Sequence, residues 1–201
     1  MPYSKFTWQE LKKKFGLQIN KSKLFHDFPL IEPSGWLKES LELTNHVSLL
    51  SEKAKSEIIV TPVLMELIKR NNFQISIFSG VTFDVSEPDN LTGECDFIIS
   101  LKGDTYFVES PVITLVEAKD DDIPLGIPQC IAQMIAARQF NENEGKTVDT
   151  IYGCVTTGTE WQFLKLTDNE VLINIDILFI KELSTLLGVW QNIVNHYKQS
   201  A

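Results

Sequence analysis

The chain of 201 residues is 43% hydrophobic and 22% charged, proportions that suit one globular domain with a sizeable core. Its net charge of −9 is not that of an ordinary nucleic-acid-binding domain. The opening Met1-Pro2-Tyr3-Ser4-Lys5 lacks the apolar core of a signal peptide, and the most apolar run, 171–180, is interrupted by Asn174 and Asp176 and too short to cross a bilayer. Cys95, Cys130 and Cys154 are widely spaced in apolar contexts, without zinc spacing, so a cytoplasmic location with reduced thiols and no membrane partner is expected.

The charge is unevenly spread. Residues 1–70 carry 11 basic and 8 acidic side chains, whereas 71–201 carry 7 and 19. Lys12, Lys13, Lys14, Lys21 and Lys23 are therefore either the handle for a phosphate backbone or simply a solvated face.

In chain order, 7–15 predicts a short amphipathic helix opened by a Thr7/Glu10 capping box. Residues 16–34, with Pro29 and Pro33, read as an irregular arm, and 36–50 as a second helix. Over 51–70 the residues Val60, Leu64, Leu67 and Ile68 form one stripe. Glu57 falls on that stripe, and Glu52 and Glu66 well off it, if the helix runs through Pro62; Thr61-Pro62 can equally start a new helix. A strand or hairpin is expected around Gly80 within 73–85, then a turn at 87–90 and a strand over 95–101.

The run 113–119, Ile-Thr-Leu-Val-Glu-Ala-Lys, reads as a buried strand ending in charge. Alternation places Ile113, Leu115, Glu117 and Lys119 on one face, with Glu117 and Lys119 roughly 7 Å apart. A charge at the end of a buried strand costs several kcal/mol unless paired, hydrogen-bonded or bound to a metal, which marks the strand end as a site. Asp120-Asp121-Asp122 reads as a solvated loop and 128–140 as a helix with an Ile127/Ile131/Met134/Ile135 stripe, Gln129 and Gln133 lying opposite. Strands over 150–156, 161–166 and 171–179 and a helix over 183–198 complete the chain. A single domain is expected: a helical arm over 1–50, a core over 51–166, and a last strand and helix over 167–201.

Short connections favour pairing of the strand from Cys95 with the strand ending at Lys119, which brings Asp96 and Glu117 to one end of the sheet. Two carboxylates and an ammonium suit a Mg²⁺ ion, which prefers oxygen ligands, one or two of them carboxylates. Glu57 is the candidate fourth member, from the helix. The buried Trp161 reads as core packing, and His26, His46 and His196 form no triad or ligand group.

The order Glu57, Asp96, Glu117-Ala118-Lys119, Gln129 resembles the PD-(D/E)XK nuclease superfamily over roughly 50–166. Within it the segment 155–163, with Cys130 and Gln133, is similar to the N-terminal nuclease domain of type I restriction motor subunits and to stand-alone members. The position before Asp96 holds Cys95 instead of proline, and the 201 residues contain no recognisable helicase motor.

The resemblance implies an α/β restriction-endonuclease-like fold, a central mixed sheet flanked by helices with an N-terminal helical elaboration. It further implies hydrolysis of phosphodiester bonds, most simply in DNA, with Mg²⁺, or Mn²⁺ in its place, held by Asp96, Glu117 and Glu57. Lys119 then orients the attacking water and stabilises the transition state, while Gln129 positions Lys119 or a phosphate. The net charge favours a second expectation, a nuclease-fold binding or accessory module that does not cut. A stand-alone enzyme cutting both strands is expected to be a homodimer, from the two-fold symmetry of DNA.

Overall fold

The computed structural model describes residues 2–119 and 121–198. Its principal helices are α1 (Trp8–Phe15), α2 (Gly35–Glu42), α3 (Glu52–Lys55), α4 (Thr61–Arg70), α5 (Ile123–Asn143) and α6 (Leu183–Lys198). Its strands are β1 (Gln18–Ser22), β2 (Ser76–Thr82), β3 (Glu94–Ser100), β4 (Val112–Ala118), β5 (Thr150–Thr156), β6 (Glu160–Thr167), β7 (Glu170–Asn174) and β8 (Leu178–Phe179). All eight strands form one mixed sheet in the order β1-β7-β6-β5-β4-β3-β2, with β8 beside β6. β4 and β5 are parallel, joined by the crossover helix α5; β1 and β7 are parallel, and the other pairs are antiparallel.

The sheet is apolar on both faces. Leu115, Ile98, Val155 and Leu164 pack with α5 and Leu11 of α1 on one side. Val116, Phe97 and Phe163 pack with α2, α4 and α6 on the other. Trp161 is fully buried there, edge-on to Trp190 at 6.2 Å, with its indole N–H donating to Gly158 O at 3.0 Å. Cys95, Cys130 and Cys154 are buried free thiols. Among the described residues no helix is long and apolar enough to cross a membrane.

Several expectations need correction. The arm is not all helix and loop: Gln18–Ser22 adds an edge strand to the sheet, in register with β7. The second helix is shorter, Gly35–Glu42 closing with a 3₁₀ turn. α5 starts earlier, because Asp122 accepts the Leu125 N–H as N-cap and Pro124 sits in the first turn, leaving Pro128 inside the helix. Asp121 and Asp122 are exposed, as a solvated loop requires, whereas Asp120 lies outside the described residues. The Thr7/Glu10 capping box is present, each residue's side chain bonding the other's backbone N–H.

β4 departs from simple alternation. Its register to β3 runs Phe97↔Val116, Ile98↔Leu115, Ile99↔Thr114, then Ser100↔Val112, so Ile113 is an extra, bulged residue. Ile113 consequently packs with α4 and α6, on the face opposite Leu115 and Glu117.

Helix α5 grips β4 with two side-chain amides. Near its end Asn141 both accepts from Val112 N at 2.8 Å and donates to Val112 O at 2.7 Å. Ten angstroms or so up the helix, at about 1.5 Å per residue, Gln133 donates to Glu117 Oε2 at 2.8 Å.

Candidate functional site

At one end of the sheet the β3–β4 ladder stops at Phe97↔Val116. Beyond it the Asp96 carboxylate accepts the Ala118 N–H at 2.7 Å, replacing a ladder carbonyl. This turns Asp96 toward β4, where its carboxyl and that of Glu117 act on each other electrostatically. Lys119, whose N–H donates to Thr156 O at the end of β5, folds its side chain back so that Nζ lies 2.6 Å from Glu117 Oε1. Asp96, Glu117 and Lys119 therefore form one cluster, although the first two are twenty-one residues apart in sequence.

Burial sets the electrostatics. Glu117 is 1% exposed, and burial together with the neighbouring Asp96 charge pushes its carboxyl up to about 8, against the pull of Lys119 and Gln133. Asp96 is also held above the usual carboxylate range by burial, opposed by the Ala118 N–H and Lys119. Burial works against the charge on Lys119, but Glu117, Glu52 and Asp96 outweigh it and hold the ammonium above its ordinary value. The cluster is short of positive charge.

The site opens into a pocket of about 360 Å³ lined by Glu52, Lys53, Ser56, Glu57, Glu94 and Asp96 among others. The contribution of the helix differs from the wheel-based expectation. Glu57 is exposed and pairs at 3.7 Å with Lys53. The half-buried Glu52 is the helix acid whose charge acts on both Asp96 and Lys119.

The reason is a π turn over Ser56–Val60, in which the Thr61 N–H reaches back five residues to Ser56 O. Pro62 has no N–H and its ring crowds the preceding turn, which a widened turn relieves. The extra residue rotates α3 by about 100° relative to α4, so a wheel drawn through both halves misplaces the residues of the turn itself, Glu57 among them, and every residue before it. Glu66 is buried as well, accepting from Ser34 N and Oγ and from Arg70; it caps α2 and has no part in the site. Glu52→Gln is expected to weaken Mn²⁺ binding about fivefold and Glu57→Gln by less than about twofold, read by calorimetry of the two variants.

Gln129 is half-buried, and the amide that meets Glu117 belongs to Gln133, one turn further on and fully buried. Helix side chains lean toward the helix N-terminus, so a residue reaches a level above its own Cα. α5 runs antiparallel to β4 from the Asn141–Val112 clamp, which leaves the longer reach to Gln133. The opposite side of α5, which carries Gln133 and Ala136, is thus also interior.

Gly126 packs on the Lys119 stem: a Cβ there would stand 2.7 Å from Val155 Cγ1 and 2.9 Å from Lys119 Cγ. Gly126→Ala is expected to leave melting within a few degrees, helix propensity offsetting overpacking of about 1–3 kcal/mol, yet to displace Lys119. Thermal denaturation checks the first outcome, and for the phosphodiester hydrolysis proposed below the expected rate loss is about tenfold or more.

No family model and no curated protein matches the chain. Among the described residues no three acidic, histidine or cysteine side chains gather closely enough to enclose a metal. A half-buried carboxylate lining a polar pocket, Asp96, beside the fully buried carboxylate of Glu117 nevertheless fits a cation of the Mg²⁺ type, which commonly takes one or two protein carboxylates and completes its shell with water and phosphate oxygens. Asp96 and Glu117 would hold it, with Glu52 reaching the same pocket from α3.

Proposed function

We propose that the chain is a Mg²⁺-dependent nuclease of restriction-endonuclease-like fold that hydrolyses phosphodiester bonds, DNA being the preferred polymer. The single observation carrying this reading is the Asp96–Glu117–Lys119 cluster, in which burial, and for Glu117 the neighbouring Asp96 charge, holds both carboxyls above their ordinary range. That electrostatic debt is what a bound divalent cation would settle.

A bound cation would supply Lewis-acid activation of water and of the phosphoryl oxygens. The chain's own residues do the rest. Asp96, fixed by the Ala118 N–H, and Glu117, fixed by Gln133, present oxygens from two strands to one point. Lys119, only half-buried, can release Glu117 and donate its Nζ hydrogens to the attacking water or to the non-bridging phosphate oxygens. Its packing against Gly126 sets the arc through which Nζ moves.

A second reading, a module of this fold that binds without cutting, is favoured by the net charge of −9 and by the acids Glu52, Glu57 and Glu94 around the pocket, which repel a polyanion. Purified protein is incubated with plasmid, single-stranded DNA and RNA in Mg²⁺ or Mn²⁺, with a parallel Mn²⁺ titration. Hydrolysis with heat of Mn²⁺ binding supports the enzyme, and Mn²⁺ heat without hydrolysis of any polymer supports the module.

A further inference from the structure

The metal-dependent reading leaves one residue of the cluster unexplained. Gln133 is 0% exposed, and its side chain spends only its donor: Nε2 bonds Glu117 Oε2 at 2.8 Å, while Oε1 is buried with no hydrogen-bond partner. A buried unsatisfied carbonyl oxygen costs about 1–3 kcal/mol, so as packing alone an amide is a worse choice here than methionine or leucine. The two oxygens of Glu117 are also treated differently. Oε2 is held by a fully buried interior amide, and Oε1 by Lys119, whose side chain is 22% exposed.

Resting on the proposed metal-dependent function, we infer that Gln133 is a positioning residue that fixes the Oε2 side of Glu117, so that only the Oε1 side changes partner, from Lys119 to a divalent cation. The asymmetry lets Lys119 leave for substrate without the carboxylate swinging after it. Asn141 fixes the other end of β4 in the same manner, so Glu117 is referenced to α5 and not to the loop that follows Lys119.

The test is calorimetric titration of the full chain with Mn²⁺ alone. Gln133→Met keeps the volume and removes both the donor and the orphaned oxygen, so melting within a few degrees of the unaltered protein is expected. Its Mn²⁺ affinity is expected to fall about 10–100-fold, the usual loss when a partner orienting a ligand is removed. Gln133→Asn, which keeps an amide but shortens its reach by one methylene, is expected to show the same loss should the methionine variant fail to fold. Lys119→Met, by contrast, removes a competitor for Oε1 and is expected to bind Mn²⁺ at least as tightly as the unaltered protein.

Unaltered affinity in a folded Gln133 variant overturns the inference, as does an equal loss in Lys119→Met. An unaltered protein that takes up no Mn²⁺ overturns the metal-dependent reading itself, and this inference with it.

Discussion

Lys119→Met is expected to lower Mg²⁺-dependent hydrolysis about a thousandfold while leaving the fold and Mn²⁺ binding in place. Methionine keeps the stem that packs on Gly126, so the loss is confined to the ammonium. Without that charge Glu117 is a buried carboxylate beside another, and it retains a proton over a wider pH range in the metal-free protein. Asp96→Asn is the companion test: its amide oxygen still accepts the Ala118 N–H, avoiding the roughly 1–3 kcal/mol of an orphaned backbone donor that alanine would incur. Hydrolysis is expected to fall at least as far, together with Mn²⁺ heat. Single-turnover cleavage with both variants, each verified by circular dichroism, measures this. Cleavage that persists in both belongs to a contaminant.

Glu117→Gln is expected to raise metal-free stability at pH 8 by a few kcal/mol and to leave it nearly unchanged near pH 4.5. The folded Glu117 carboxyl is pushed from 4.5 up to about 8, so between those values the unfolded chain loses its proton while the folded one keeps it. Stability is therefore complete below the unfolded value and declines as pH rises through the folded one, by up to about 1.4 kcal/mol per pH unit. Asp96, shifted in the same direction, adds to the slope. His196, held below its ordinary value by burial, works the other way up to about 6.5, which is why the variant difference and not the raw curve is diagnostic. Lys119 and Glu66 titrate outside the window. Denaturant titrations of both proteins from pH 4.5 to 8.5 check this; parallel curves would contradict it. Mg²⁺ is expected to favour the unaltered protein at the upper end, by mass action on the folded state.

Strand and helix types were legible from apolar runs and periodicity, and the convergence of Asp96, Glu117 and Lys119 from the short β3–β4 connection. Other features turn on events no local pattern announces. The polar stretch of β1 has little apolar alternation to signal an edge strand, which is stabilised by backbone pairing with distant β7. The bulge at Ile113 reverses the face of one residue without altering the composition of the run. Glu57 was favoured over Glu52 because a helical wheel assumes constant pitch, and the π turn breaks that assumption between the acid and the stripe that served as reference. Gln133 was within reach of the sequence, once the lean of helical side chains was combined with the antiparallel run of α5.

The π turn has a consequence for how the molecule can change. By decoupling the angular setting of α3 from that of α4, it divides one rod into two independently aimed surfaces: Glu52, Lys53 and Ser56 toward the pocket, Val63, Leu64 and Leu67 toward the interior. Substitutions upstream of the turn should then combine nearly additively with those downstream, since they face different surroundings. The chemistry at the mouth of the pocket can be retuned, residue by residue, without renegotiating the packing beneath it.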